Sequence, residues 1–280
     1  MKIRKITDKK LKVLIFQGSA RDIDSCPDME SKSSKIVDHI LEKWSAIIDF
    51  EVIDLSVNQS KKPIIQPCKG CVSTAGGYHC HFPCDCYFKG GKNKDLLSEQ
   101  DVYRKLEESD CFLIVSPIYW HSLTSQVKAL FDRLVCINLS LTNEDAVELM
   151  GKGNIKNSLI TGKFSQSKEH DDKLKNHLEG KYAAFYVHGD DGSDEYMDME
   201  LPDSFDIGID SFSIDPHSIL RPYVNQLKYS GVYVPDNFIK CFYINKGVDY
   251  YTANQRYEKT SSFEELADDL INNIINKLNV

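Results

Sequence analysis

Short apolar runs, separated by longer polar stretches, are the main pattern along this chain. Continuous apolar runs of this length are typical of parallel strands that are covered on both faces. They predict strands over residues 12–16, 50–55, 111–115 and 182–187, and a fifth strand within residues 232–244. Each of the first four runs is followed within two residues by Gly, Ser, Pro or His, which marks the strand end as a turn or loop.

Apolar residues recur at helical spacing between these runs. We expect helices over Ile36–Trp44, Val127–Leu134 and residues 219–229, a helix start at Ser98, and a last helix from Ser262 to Leu278. Alternation of strands with helices predicts an α/β fold, with a parallel sheet and helices on both faces. In such sheets ligands bind at the carboxyl ends of the strands, so the loops after the first, third and fourth strands are the places to look for a site.

Composition and charge narrow the class of protein. Hydrophobic residues make up 41% of the 280 residues and charged residues 27%, which is enough apolar content for a core. The net charge of −8 argues against extensive nucleic-acid contact, which depends on Lys and Arg neutralising phosphates. No apolar run approaches the ~18 residues of a membrane helix, and the basic N-terminus lacks the apolar stretch of a signal peptide. We expect a soluble, cytoplasmic protein without nucleic-acid or membrane partners.

The first loop has the composition of a phosphate site. Gly18-Ser19-Ala20-Arg21 follows the first strand, and Ser31-Lys32-Ser33-Ser34 precedes the first helix. Free amides and hydroxyls at a helix start bind phosphate well, and Arg21 can add a charge-assisted bond. The alternative is a Ser-rich helix cap beside a solvated arginine. Neither Gly-x-Gly-x-x-Gly nor Gly-x-x-x-x-Gly-Lys-Ser/Thr occurs, so neither a dinucleotide fingerprint nor a nucleotide triphosphatase is supported.

The third strand leads into Ser116-Pro117-Ile118-Tyr119-Trp120-His121-Ser122, followed by a helix with Lys128, Asp132 and Arg133. Together with Gly18-Ser19-Ala20-Arg21, these motifs resemble the NAD(P)H-dependent flavin mononucleotide (FMN) reductase family of the flavodoxin-like superfamily. The resemblance is good over residues 11–136 and thinner afterwards. It departs from the family pattern in its longer phosphate loop, which contains Cys26-Pro27.

The resemblance implies a doubly wound, flavodoxin-like sheet of five parallel strands, in a single domain over residues 1–280. It implies FMN held by three loops: by the first loop at Ser19, Arg21, Ser31 and Ser33, by the second at Pro117, Ile118, Tyr119 and Trp120, and by the third at His188, Gly189 and Asp190. Tyr119 and Trp120 offer flat faces for a planar ring, although an aromatic turn packed into the core fits them as well. His188 fits a solvated loop, Gly189 a turn and Asp190 a helix cap equally well.

Two further implications concern the helix motif and self-association. Lys128 and Asp132 are four residues apart and can pair on the helix surface. Relatives instead place residues equivalent to Asp132 and Arg133 at a subunit interface, and they form homodimers or homotetramers.

The activity implied is that of an FMN-dependent NAD(P)H oxidoreductase. Hydride passes from a nicotinamide through FMN to a second, small-molecule acceptor such as a quinone, a flavin or a metal ion. The flavin carries this chemistry, so no catalytic side chain is assigned. The alternative is a flavin electron-transfer protein, with or without an iron–sulfur cluster, that does not turn over NAD(P)H. A cofactor-free sensor or scaffold of the same fold is a third option.

Two insertions are expected in this fold, a cysteine-rich one at about 63–95 and a polar one at about 138–180. The first contains Cys68, Cys71, Cys80, Cys84 and Cys86, with spacing Cys-x2-Cys-x8-Cys-x3-Cys-x-Cys. Converging thiolates bind zinc or an iron–sulfur cluster. The spacing departs from that of iron–sulfur flavoproteins, and a flap with buried or redox-active thiols fits it equally well.

Overall fold

The computed structural model describes residues 10–21, 31–57, 63–70, 80–84, 87, 94–119, 122–142, 144–145, 148, 172–190, 216–244 and 261–278. Their strands are β1 (Leu11–Gln17), β2 (Ile48–Asp54), β3 (His81–Phe82), β4 (Cys111–Tyr119), β5 (Ser122–Leu123), β6 (Leu141–Thr142), β7 (Tyr182–Asp190) and β8 (Ile239–Ile244). Their α-helices are α1 (Lys32–Trp44), α2 (Leu96–Glu99), α3 (Val102–Glu108), α4 (Ser125–Arg133), α5 (Pro216–Tyr229) and α6 (Ser261–Leu278). Leu134–Ile137 and Asp236–Phe238 form 3₁₀ helices.

The central sheet has the strand order β2-β1-β4-β7-β8, and every pair along it is parallel. This order reverses direction between β1 and β4, which defines the switch point of a doubly wound sheet. The predicted flavodoxin-like α/β fold is therefore confirmed. β5 pairs with the end of β4 in an antiparallel hairpin, and β3 pairs with β6 in a separate two-stranded sheet.

Helices cover both faces of the sheet. Val13 and Ile15 of β1 pack on one face with α1 and α6, whereas Leu14 and Phe16 pack on the other with α3, α4 and α5. Alternate side chains of a strand point to opposite faces, so two apolar cores require the uninterrupted apolar run that the sequence contains. Among the described helices, none is both long and apolar enough to cross a membrane.

Two strands at the centre of the sheet extend further than predicted. β4 continues to Tyr119 and β7 to Asp190, because Pro117 lies in register with His188, and Asp190 with Ile244. The prediction that residues 116–119 and 188–190 form turns or loops is therefore wrong.

Other boundaries also differ from prediction. β8 begins only at Ile239, because Pro235 starts a 3₁₀ helix over Asp236–Phe238 and cannot donate a ladder hydrogen bond. The helix expected to start at Ser98 instead starts at Leu96, and Asp95 accepts the Ser98 N–H as its N-cap. Asp101 then adopts a left-handed φ of 51° and separates α2 from α3.

Candidate functional site

The ends of β1, β4 and β7 meet at the carboxyl edge of the sheet. Gln17 lies in register with Val115, and Pro117 with His188. The backbone N–H of Gly18 donates to the carbonyl of Val115 at 2.7 Å, so the first loop starts directly beside β4. The three loops in which site residues were predicted are therefore neighbours in space.

Gln17 organises the first loop from the last position of β1. Its Oε1 accepts the backbone N–H of Ser19 at 2.7 Å, and its Nε2 donates to the Ser34 hydroxyl at 2.8 Å. One buried amide thus ties the strand end, the loop and the first turn of α1 together. Sequence reasoning missed this residue, although a polar side chain closing an otherwise apolar buried strand is a recognisable signal.

The start of α1 is a well-formed helix cap. Ser31 is the N-cap, and its hydroxyl accepts the Ser34 N–H at 3.0 Å and lies 2.9 Å from the Ser34 hydroxyl. The helix that follows is 13 residues long, so its positive dipole end and remaining first-turn amides lie beside the loop. The serine cap and the phosphate site, weighed above as alternatives, are thus compatible with the same geometry.

A cavity of about 330 Å³ opens between this cap and the end of β2. Arg21, Ser31 and Ser34 line one side of it, and Asp54 and Ser56 line the other. Asp54 accepts hydrogen bonds from the Ser56 N–H at 2.9 Å and the Ser56 hydroxyl at 3.0 Å. Of the predicted phosphate residues, Arg21 and Ser31 therefore border this cavity, whose lining is partly polar and partly apolar and also includes Asp38.

Gly18 brings the first loop into close contact with β4 and α4. A Cβ at this position would lie 2.7 Å from Val127 Cγ2 and 2.8 Å from Ser116 Cβ. Thr124, the N-cap of α4, also donates its hydroxyl to the Gly18 carbonyl at 2.6 Å. Only glycine fits where the backbone of the first loop comes this close to β4 and α4. The contact fixes the first loop against the end of β4, where the second group of site residues was predicted.

The second segment presents an aromatic side chain at the rim. Tyr119 is 40% exposed at the end of β4 and pairs with Ser122 across the β4–β5 hairpin. The Ser122 hydroxyl lies 2.9 Å from the Tyr223 hydroxyl of α5, which anchors the hairpin. Tyr119 is therefore not packed into the core, and the interpretation as a core aromatic is wrong for this residue. Trp120 and His121 lie outside the described residues.

The third segment contains His188, which is turned inward. Only 5% of His188 is exposed, its Nε2 lies 2.9 Å from the Ser33 hydroxyl, and its ring meets Phe263 edge-on. Burial, with a smaller contribution from nearby Lys32, lowers the pKa of His188 from 6.5 to about 3, so the ring is neutral. The alternative of a solvated loop histidine is therefore wrong.

Gly189 and Asp190 continue β7 beyond this histidine. A Cβ on Gly189 would lie 3.1 Å from Ile118 Cβ, so the second and third segments are in contact. Asp190 is a strand residue in register with Ile244 and not the helix cap considered as an alternative. Of the predicted residues, Ser19, Arg21, Ser31, Pro117, Ile118, Tyr119 and Gly189 lie along this edge, whereas the Ser33 and His188 side chains bind each other.

The three motif residues of α4, Lys128, Asp132 and Arg133, lie partly on the surface and partly in the interior. Lys128 and Asp132 form the expected exposed ion pair. Arg133 instead points inward and pairs with Asp95, and both side chains are fully buried. Its guanidinium also donates to the Gln66 carbonyl at 3.2 Å and lies 4.7 Å from the centre of the Tyr87 ring. The subunit-interface role considered for Arg133 is therefore wrong, because this residue anchors the cysteine-rich insertion to α4.

The cysteines of that insertion are only partly within the described residues. Cys80 and Cys84 are buried in the core, Cys68 is partly exposed, and Cys71 and Cys86 lie outside the described part. Phe82, between the two buried cysteines, stacks on His177 with ring centres 4.4 Å apart. No group of three or more potential metal ligands converges among the residues that the structure describes.

Comparison with known proteins adds a family match. The model of the NADPH-dependent FMN reductase family matches residues 11–202. No curated protein sequence matches the chain.

Solved structures align along almost the whole chain, at low identity. An NAD(P)H:quinone oxidoreductase from Methanothermobacter marburgensis is 12% identical, with 94% of this chain and 98% of that one covered and a TM-score of 0.48. RosB, solved with a bound 8-demethyl-8-formylriboflavin-5'-phosphate intermediate, is 15% identical, with 96% and 82% covered and a TM-score of 0.46. General stress protein 14 from Treponema denticola, in complex with FMN, is 14% identical, with 94% and 96% covered and a TM-score of 0.39.

Proposed function

The chain belongs to the NADPH-dependent FMN reductase family, and from this premise we propose that it passes hydride from a reduced nicotinamide through FMN to a second acceptor. The family makes it an NAD(P)H-dependent FMN reductase-like oxidoreductase, with FMN as its cofactor. The proposal of hydride transfer to a second acceptor rests on one observation. The first loop, the end of β4 and the end of β7 meet at one edge of the sheet.

The first loop fits the phosphate of FMN. We propose that Ser19, Arg21 and Ser31, with the first-turn amides of α1, hold this group. A helix N-terminus attracts an anion through its free N–H groups and its dipole. Gln17 would hold this cradle in shape through Ser19 and Ser34. Ser33 would contribute only its backbone, since its hydroxyl is bonded to His188.

The ends of β4 and β7 fit the ring of FMN. Tyr119 offers an exposed aromatic face, and the backbone near Ile118 lies against Gly189, so a planar ring can approach closely. We propose that Pro117, Ile118, Tyr119 and Gly189 line the same side of the ring. His188 would support this wall from beneath as a neutral, buried ring.

When bound, FMN supplies the hydride chemistry at its isoalloxazine ring, and the protein supplies position and environment. The chain's own residues hold the phosphate, orient the ring and keep its rim open at Tyr119. A small acceptor such as a quinone or a flavin would use this open rim. Assembly into a homodimer or homotetramer remains a prediction.

The test begins with the visible spectrum of the full chain after FMN is added and excess is removed. Anaerobic NADH or NADPH is then mixed with the loaded protein. Rapid loss of the oxidised flavin absorbance supports the proposal, and a quinone should restore it. If FMN binds but neither nicotinamide reduces it, the protein is an electron carrier. If FMN does not bind, the site assignment fails.

A double variant, Ser19→Ala with Ser31→Ala, tests the phosphate end. The matched control is Ser45→Ala, which lies at the opposite end of α1 and whose hydroxyl donates to the Leu41 carbonyl. We expect FMN binding to weaken by about tenfold or more in the double variant, since charge-assisted hydrogen bonds contribute ~1.5–3 kcal/mol each. The control should bind as the wild type does.

A further inference from the structure

Ser33 and His188 connect the two ends of the proposed flavin site, which are the phosphate end at the start of α1 and the ring end beside β4 and β7. Ser33 is the second residue of α1 and is fully buried, and its hydroxyl lies 2.9 Å from His188 Nε2. His188 belongs to the centre of the sheet, where it lies in register with Pro117 on one side and Phe242 on the other. A side-chain hydrogen bond therefore links the first turn of the helix to the middle of the sheet edge.

The contact continues from His188 into the ring end of the site. The next residue, Gly189, is so close to Ile118 that a Cβ would lie 3.1 Å from the Ile118 Cβ. On its other side the His188 ring meets Phe263, itself buried, at a centroid distance of 5.9 Å. His188 therefore has little room to move independently of Ser33, and a shift of its backbone would press Gly189 against Ile118.

We infer that His188 is a positioning residue that couples the two ends, so that the phosphate of a flavin strengthens the binding of its ring. The inference rests on the proposed function. A phosphate at the start of α1 would fix the position of the first helical turn, including Ser33. Through its hydrogen bond, Ser33 would then fix His188, and with it the contact between Gly189 and Ile118. Because coupling between two parts of a ligand is reciprocal, a bound ring would equally strengthen phosphate binding. The histidine itself touches neither part.

The experiment compares FMN with riboflavin, which has the same ring and lacks the phosphate. Dissociation constants for both are measured by quenching of flavin fluorescence at pH 7.5. The proteins are the wild type, Ser33→Ala, His188→Leu, the double variant, and His188→Gln, whose amide can still bond to Ser33. The matched control is Phe263→Leu, which loosens the packing around His188 and leaves the hydrogen bond in place. Thermal unfolding is followed in parallel.

The readout is the ratio of the two affinities. We expect the preference for FMN over riboflavin to fall about tenfold in Ser33→Ala and in His188→Leu, the effect of one buried hydrogen bond. The double variant should fall no further, while His188→Gln and Phe263→Leu should retain most of the preference.

Equal weakening of both flavins in Ser33→Ala and His188→Leu would overturn the inference, because it would mean that the pair only stabilises the fold. An unchanged ratio, or a similar fall in Phe263→Leu, would also overturn it. If the wild type binds neither flavin, the proposed function itself fails, which is a different result. Ser33→Ala keeps the test decisive if His188→Leu does not fold.

Discussion

Arg133 and Asp95 form an ion pair from which water is excluded, since neither side chain has any exposed surface. One partner ends α4 and the other caps α2 at the end of the cysteine-rich insertion. A buried pair of this kind costs energy to desolvate, and its main effect is that neither partner can be removed alone.

We therefore expect Asp95→Asn and Arg133→Met to lower the free energy of unfolding by about 3–5 kcal/mol each. The double replacement Asp95→Asn with Arg133→Met, which keeps a side chain able to cap α2, should cost less than either single change, because it leaves no unpaired buried charge. Asp132→Asn, in the exposed pair with Lys128, is the matched control and should cost about 0–1 kcal/mol. Urea unfolding of the four variants checks this, and equal losses in Asp95→Asn and Asp132→Asn would contradict it.

Gly18→Ala tests the close approach of the first loop. The new methyl group would overlap Val127 Cγ2 and Ser116 Cβ, so the loop has to move. We expect a loss of about 1–3 kcal/mol in stability, typical of overpacking, together with weaker FMN binding. Adding Val127→Ala should restore part of both. Melting temperature and FMN titration are the measurements, and wild-type behaviour of Gly18→Ala would rule out the described approach.

The neutral state of His188 predicts how stability depends on pH. Its pKa is about 3 in the folded chain and near 6.5 when unfolded, because burial and the charge of Lys32 oppose protonation. Between these values the unfolded chain binds the proton and the folded chain does not. The stability is therefore fully present above pH 6.5 and is lost as the pH falls toward 3, at up to about 1.4 kcal/mol per pH unit.

Urea midpoints at pH 7.5, 6.5, 5.5 and 5.0 measure this slope. His188→Gln should flatten it, while His39→Gln serves as a control on a partly exposed histidine near Asp268. A slope unchanged by His188→Gln would show that other groups carry the acid sensitivity.

Gln17→Glu tests the residue that sequence reasoning missed. The new carboxylate would still accept the Ser19 N–H but could not donate to Ser34, and it would place negative charge beside the proposed phosphate site. We expect FMN affinity to fall by about tenfold or more, with riboflavin affected much less. Gln17→Met separates loss of hydrogen bonding from added charge. Equal effects of Glu and Met would argue that no anion binds there.

Thiol reactivity tests the packing of the described cysteines. Cys68 and Cys241 are partly exposed, whereas Cys80, Cys84, Cys111 and Cys136 are buried. Burial raises the pKa of Cys111 and Cys136, which removes the reactive thiolate. Of these six described cysteines, Cys68 and Cys241 should react with iodoacetamide at pH 8 first, and the buried four only in urea. Peptide mass spectrometry gives the order, and early labelling of Cys84 would contradict it.

The sequence allowed the sheet to be predicted because the apolar runs carry that information locally. The runs at 12–16 and 111–115 had to be covered on both faces, and they are the centres of β1 and β4. The extensions to Tyr119 and Asp190 could not be predicted, because Ser116, Pro117 and Gly189 have no intrinsic strand preference. They are strand residues because a neighbouring strand pairs with them.

Contacts between side chains that are far apart in sequence also could not be predicted. Nothing near Arg133 indicates that it pairs with Asp95, and nothing near Ser33 indicates His188. Both residues were therefore assigned from family resemblance, to an interface and to ligand contact. The first assignment is wrong, and the Ser33 side chain is already bonded to His188. Position within a motif predicted the neighbourhood of each residue but not the direction in which its side chain points.

The family match ends at residue 202, yet β8, α5 and α6 lie beyond it. β8 pairs along β7 from Phe185 to Asp190, and Phe263 of α6 covers His188. A recombinant fragment trimmed to the matched region would leave the backbone donors and acceptors of β7 unpaired at the edge of the sheet. It would also uncover part of both apolar cores, because α5 and α6 cover opposite faces. An unpaired strand edge can form β-pairs with other copies of the fragment, so the fragment should aggregate and be unsuitable for measuring flavin binding. Anyone choosing expression boundaries should therefore retain the chain through Leu278.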